Sequence, residues 1–191
     1  MNLVLDGREM IRQAYFRLAK SANSEGVRAD LESAAQAFTS AIAAPKKTGY
    51  VGAKEGVAWA TMWLGVAQVL LGDPHGVSSI EKAYHLGKNA RGPGLKTCHR
   101  RSATERAEAA RLLGLDDVEA WWDAAEVAAA ENDDKLAVVQ IAQARRSEPG
   151  RLEARMLMRS AADSVEGEAA SILGSLGAYR LRAAVAQDEP E

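Results

Sequence analysis

One segment of the chain carries apolar residues on every side. Between Glu55 and Asp73, Gln68 is the only amide past the first turn. The large residues leave no polar stripe: Trp59, Met62, Trp63, Leu64, Val66, Val69, Leu70 and Leu71. A helix that is apolar all round must be surrounded by protein, and this one is too short and too interrupted to span a membrane, which takes about 20 apolar residues. The pattern predicts a central buried helix that ends at Gly72.

The residues before this helix predict a helical hairpin. Apolar positions recur at spacings of three and four in residues 3–22 and again in 27–42, with a polar SANSEG break between them. A short connection favours antiparallel neighbours. We therefore expect a hairpin over 3–43 that covers Trp59 and Met62 of the central helix.

The residues after it predict a shorter partner helix, so that 55–86 form a pair. The next segment, 87–101 (GKNARGPGLKTCHRR), has no helical period and contains Gly-Pro-Gly. We interpret it as a long basic loop, the kind of segment that often carries function. Ser102 and Glu105 then have capping-box spacing, which predicts the start of a new helix there, and Gly114 predicts its end.

Helical signals continue to the end of the chain. Two helices are expected on either side of the turn at Asn132 and Asp133, and two more over 151–162 and 166–187, followed by a frayed tail at 188–191. The whole chain predicts about nine helices and no sheet, in one domain over 1–187.

Composition supports this all-α interpretation. Of 191 residues, 47% are hydrophobic, many of them alanine, and no alternating run of strand length stands out. The net charge of -2 gives no global field that would favour nucleic acid or an anionic membrane. Cys98 is the only cysteine and can form no internal disulfide. The single cysteine favours a reducing cytoplasm. Charged residues interrupt the apolar start of the chain, which argues against a signal peptide.

The segment 118–151 has the pattern of a helical repeat. A large residue lies early, small residues recur where two helices would cross, and a proline closes the unit: Trp121, Ala124, Ala125, Ala128, Ala137, Ile141, Ala144 and Pro149. This segment resembles a tetratricopeptide repeat, a unit of about 34 residues with two antiparallel helices. A fair second copy covers about 58–86, and the other segments are degenerate. The fold expected is a short array of stacked hairpins, with a compact alanine-rich bundle as the alternative.

The resemblance implies a protein-binding surface. In such repeats the first helix of each pair lines a concave groove, which would here contain Glu119, Trp122, Glu126, Glu153 and Met156. Trp121 and Trp122 point about 100° apart, so both cannot enter one core. A Trp122 exposed among carboxylates would anchor a partner with basic and apolar residues. The alternative is that Trp122 packs under a neighbouring helix or the long loop.

The basic segment offers a second hypothesis. It has no acidic residue between Lys88 and Arg101, and its cations could bind phosphate groups or nucleic acid: Lys88, Arg91, Lys96, Arg100 and Arg101. Interleaved aromatic residues, which stack on bases, are missing. A solvated loop that balances the acidic helices is the alternative.

Catalytic and metal-binding signals are weak. Cys98 and His99 are adjacent but lack the further ligands of a zinc site and the third group of a nucleophilic triad. No phosphate-binding loop, dinucleotide fingerprint, HExxH or GxSxG motif occurs. The paired carboxylates Asp116-Asp117 and Asp133-Asp134 are explained by helix starts. We therefore expect no catalytic residue, no metal and no cofactor.

The sequence thus predicts a non-catalytic adaptor or scaffold that binds another protein, as a peptide or helix, through an outer or concave helical face. Two alternatives remain: phosphate or nucleic-acid binding by the basic segment, and a structural subunit that assembles with copies of itself. The sequence predicts no membrane partner and does not identify the protein partner.

Overall fold

The structure is a computed structural model that describes most of the first three quarters of the chain. The described residues are 7, 8, 10, 11, 13, 26–44, 51–88, 90, 92–131 and 135–146. The predicted helices at 151–162 and 166–187, and the tail, lie outside them. Residues 7, 8, 10, 11 and 13 are helical, as the pattern over 3–22 predicts.

Six helices follow one another along the described chain. They are α1 (Val27–Ala43), α2 (Val51–Leu70), α3 (His75–Gly87), α4 (Pro93–Leu113), α5 (Val118–Ala130) and α6 (Lys135–Arg146). Each packs against the next in an antiparallel arrangement, and α2 also packs against α4. No β-strand occurs among the described residues, so the all-α class is confirmed for this part of the chain.

The apolar helix α2 has the central position that its pattern predicts. It contacts α1, α3 and α4. Met62 is fully buried, while Trp59 remains half-buried. The helix ends at the predicted glycine: Gly72 has a φ of 84°, and the amides of Gly72 and Asp73 donate to the carbonyls of Val69 and Gln68. This is the pattern by which a left-handed glycine closes a helix.

The predicted loop over 87–101 is wrong for its second half. Helix α4 begins at Pro93, with Gly92 as its N-cap in extended conformation and the Lys96 amide donating to the Gly92 carbonyl. Proline suits the first position of a helix because its φ is already helical and its missing N–H has no intrahelical partner there. The Gly-Pro-Gly sequence therefore starts a helix instead of marking a loop.

The predicted helix start at Ser102 is also wrong. Ser102 and Glu105 lie in the middle of α4 and are buried. Every residue from 102 to 110 is buried, a run of two and a half turns that leaves no side of the helix open to water. Four alanines in this run let neighbouring helices approach closely: Ala103, Ala107, Ala109 and Ala110.

Helix α4 joins two hydrophobic clusters. The first contains buried residues of α1, α2 and α3 together with Ala109 of α4. The second is formed by Ala103 and Ala107 of α4 with residues of α5 and α6, including Trp122 and Ile141. Helix α4 therefore contributes buried residues to both hydrophobic clusters.

Helices α2 and α3 cross at unusually short range. A Cβ placed on Gly65 would lie 2.5 Å from the carbonyl oxygen of Gly76 and 2.9 Å from the amide nitrogen of Ile80. A change of side-chain rotamer cannot relieve these two contacts, because the atoms opposite the Cβ belong to the backbone.

The turn between α2 and α3 is held by Gln68. Its side-chain amide donates to Asp73 at 3.3 Å and accepts from Ser79 at 3.0 Å.

We expect Gly65→Ala and Gly76→Ala each to lower the free energy of unfolding by about 1–3 kcal/mol, because the added methyl group forces the crossing apart. Gly56→Ala, in the same helix α2, is the matched control: its Cβ meets nothing within 4 Å. That change should stabilise the protein by about 0.5–1 kcal/mol through helix propensity. Urea unfolding measures all three, and equal effects at Gly56 and Gly65 would contradict the close crossing.

Candidate protein-binding site

Three carboxylates project from the outer face of α5. Glu119, Asp123 and Glu126 lie within one side of the helix and all three contact Arg145 of α6, at 2.7, 3.0 and 3.1 Å. Their hydrogen bonds and charges raise the pKa of Arg145, first through Glu119 and then through Glu126. One guanidinium is thus shared by three acids, and the cluster keeps an excess of negative charge.

An exposed apolar residue lies beside this cluster. Val127 is four residues after Asp123, so it is its neighbour on the same side of α5, and it is 57% exposed. We call Glu119, Asp123, Glu126 and Val127 the acidic face of α5. It combines negative charge with an apolar contact, which suits a basic and apolar partner segment.

Trp122 does not belong to this face. It is 0% exposed and packs in the second cluster among alanines of three helices. The guanidinium of Arg111 covers its ring at 5.4 Å. The hypothesis of an exposed Trp122 anchor is therefore wrong. The alternative is confirmed: Trp122 packs under a neighbouring helix, α4, whose small residues Ala103 and Ala107 leave space for the indole.

The remaining predicted site residues divide into two groups. Glu119 and Glu126 lie on the surface, as the groove hypothesis required, although both contact Arg145. Glu153 and Met156 lie outside the described residues. The structure therefore brings two of the five predicted protein-binding residues together.

Trp121, the neighbour of Trp122, faces a polar cluster between α3, α4 and α5. Its indole nitrogen donates to Asp117 at 3.1 Å, and the guanidinium of Arg106 lies 5.1 Å from its ring centre. Arg106 is only 4% exposed and donates to Glu81 at 2.7 Å and to both oxygens of Asp117 at 3.2 and 2.6 Å. Asp117 thus binds a buried arginine in addition to preceding a helix. Sequence reasoning missed this cluster because its members come from three separate helices.

The basic segment is mostly part of α4. Lys88 follows the end of α3, Lys96, Arg100 and Arg101 lie in α4, and Arg91 is outside the described residues. Arg101 forms an ion pair with the buried Glu105 at 2.7 Å. Lys88 and Lys96 are exposed, but from Pro93 onward the cationic loop envisaged from the sequence is replaced by a helix in which Arg101 has an acidic partner.

Cys98 and His99 point in different directions on α4. Cys98 is fully buried, its sulfur lies 3.9 Å from the Ser102 hydroxyl, and burial raises the pKa of its thiol to about 12. His99 has its ring stacked on Tyr84 at 4.1 Å, and its Nδ1 lies 2.8 Å from the Tyr84 carbonyl oxygen. The thiol is thus kept protonated at neutral pH, and the two side chains do not form a nucleophile–base pair.

Within the described ranges, no group of three or more His, Cys, Asp or Glu residues is arranged to hold a metal ion. None of the helices in that part of the chain is long and apolar enough to cross a membrane.

Comparison of the chain with protein-family models, with curated proteins and with solved structures finds no match. The resemblance to tetratricopeptide repeats therefore remains a prediction from the sequence. The class that the structure defines is an all-α protein of helices that pack in sequence order.

We expect Arg106→Met to lower the free energy of unfolding by about 1–3 kcal/mol. The change leaves Glu81 and Asp117 without their shared cation, but both are partly exposed, so the loss should be below the 3–5 kcal/mol typical of a fully buried broken pair. Arg28→Met is the control, since Arg28 forms an exposed ion pair with Glu32, worth at most about 0.5 kcal/mol. Similar losses in the two variants by urea unfolding would show that the Arg106 cluster adds no stability.

Cys98 predicts a pH dependence of stability. Its folded pKa of about 12 exceeds the unfolded value near 9, so folding favours the protonated thiol. This contribution is fully present below pH 9 and decreases as the pH rises from 9 towards 12, by at most about 1.4 kcal/mol per pH unit. Between pH 8 and 10.5, wild type should therefore lose more stability than Cys98→Ala, in which this group is absent. Parallel stability curves for the two proteins would contradict a buried thiol.

Proposed function

We propose that the chain is a non-catalytic scaffold that binds another protein through the acidic face of α5. The observation that carries this proposal is the combination of three carboxylates around one guanidinium with the exposed Val127. A partner segment with basic residues and one apolar side chain would complement both properties. The hairpin arrangement and the repeat-like sequence over 118–151 support a role in recognition.

Arg145 indicates the chemistry that the face accepts. Its guanidinium makes hydrogen bonds to Glu119 at 2.8 Å and to Glu126 at 3.1 Å, and an ion pair to Asp123. Carboxylates spaced to bind one guanidinium can bind a second one supplied in trans, because each ionised carboxylate has about four acceptor sites. The side chains of Glu119 and Asp123 are about two-thirds exposed, so they remain accessible to such a partner.

Electrostatic attraction would act mainly on association, and apolar contact on the lifetime of the complex. Charges at the rim of an interface change the on-rate and its salt dependence. A buried apolar anchor contributes more to affinity. We therefore assign the anchoring contact to Val127 and the orientation of the partner to the carboxylates.

The experiment compares two valines of similar exposure. Val127→Lys places a cation on the acidic face, whereas Val139→Lys changes a 53% exposed valine on α6. Val139 is six residues from Arg145, about 120° around the helix from it. Full-length wild type and both variants are immobilised, and the bound proteins from native lysate are compared by mass spectrometry. We expect one stoichiometric partner on wild type and Val139→Lys that is at least tenfold depleted on Val127→Lys.

Equal recovery on all three baits would refute the assignment to the acidic face, and so would the absence of any stoichiometric partner. Loss on Val139→Lys alone would move the binding surface to α6. Light scattering of the purified proteins separates capture of a partner from assembly of this chain with itself. Thermal unfolding of both variants should agree with wild type within a few degrees, since neither valine is buried.

A further inference from the structure

Two arginines from distant parts of the chain share one tryptophan ring. The guanidinium carbon of Arg8 lies 5.3 Å from the ring centre of Trp63, and that of Arg101 lies 6.0 Å from it. Both distances are within the range in which an aromatic face attracts a cation. The half-buried ring of Trp63 thus holds two positive charges near each other, at the contact between α2, α4 and the helical residues around Arg8.

Among the described residues, acidic partners do not balance the two charges at this place. Arg101 has one acidic partner, Glu105, which lies one turn further along α4 and is fully buried. Arg8 has a ring contact with Trp63, and no acidic side chain among the described residues pairs with it. Burial lowers the pKa of Arg8, and the charge of Arg101 lowers it further. Within the described part of the chain, Arg101 thus has one carboxylate partner and Arg8 has none, and both lie in a partly desolvated place.

We propose that Arg8 and Arg101 form an anion-binding site on the ring of Trp63, and that its ligand is the phosphate group of a small molecule. A half-buried pair of like charges is unfavourable until an anion lies between them. The planar forks of two guanidiniums offer several N–H donors, and a phosphate group has three terminal oxygens that can accept from both forks at once. A carboxylate has only two oxygens and matches one fork.

The surrounding side chains position the site before a ligand arrives. The ion pair with Glu105 holds Arg101, and the ring of Trp63 provides a flat surface for both guanidiniums. Preorganised donors lose little conformational entropy on binding. The site differs from the basic segment envisaged from the sequence, because Arg8 and Trp63 lie outside that segment and only Arg101 is common to both.

Binding is measured by titrating the full-length protein with inorganic phosphate or with glycerol 3-phosphate, at constant ionic strength set with sodium chloride. The readouts are calorimetric heat and the indole N–H signal of Trp63 in an NMR spectrum, identified by its absence in Trp63→Phe. We expect saturable binding and a shift of the Trp63 signal. Binding of both probes indicates recognition of the phosphate group itself, and tighter binding of the ester indicates a phosphorylated small molecule as the ligand.

Arg8→Gln tests the site with least risk to the fold, because Arg8 has no ion pair to lose among the described residues. We expect its phosphate affinity to be at least tenfold weaker, and Arg8→Lys, which keeps the charge without the fork, to be intermediate. Arg28→Gln removes an exposed arginine elsewhere and should bind like wild type. The proposal is overturned if phosphate acts no differently from chloride on wild type, or if Arg8→Gln binds phosphate as tightly as wild type does.

Discussion

The arrangement of the described helices depends on the burial, on all sides, of the charged middle of one helix. Residues 102–110 of α4 are all buried, and they include Glu105, Arg106 and Glu108. Removing charges from water is costly unless each finds a partner with good geometry. Arg106 meets this condition with Glu81 of α3 and Asp117 before α5, and Glu105 forms an ion pair with Arg101. The positions of α3 and α5 relative to α4 are therefore restricted by hydrogen bonds as well as by packing.

The sequence predicted those helices whose burial is visible in their own composition. Helix α2 is apolar on every side, so its central position follows from hydrophobicity alone. The middle of helix α4, residues 102–110, is also buried on every side, but its Glu and Arg residues are typical of a solvated helix. Its burial comes from pairing with residues on α3 and before α5, which a single sequence does not show. The loop predicted around Pro93 is wrong for a related reason: residues 87–101 show no helical period of apolar positions, although a helix begins there.

For the candidate site, too, the sequence predicts which residues share one side of a helix but not what packs against them. The spacing of Glu119, Asp123 and Glu126 places them on one side of a helix, and the 100° step between Trp121 and Trp122 shows that one indole must turn away from a given core. Which of the two is buried depends on the opposing surface. Ala103 and Ala107 of α4 leave space for Trp122, while Arg106 and Asp117 bind Trp121. The role of Arg145 also depends on how α6 packs, which its sequence alone does not define.

The sharing of α4 by both hydrophobic clusters has a consequence for motion. Opening either cluster would expose part of the same nine-residue run and separate its ion pairs. Fluctuations at the two ends are thus thermodynamically coupled, and the described helices should open as one cooperative unit and not as independent hairpins. A ligand that steadies α5 would therefore also slow hydrogen exchange in α2, although the two helices lie on opposite sides of α4 in sequence.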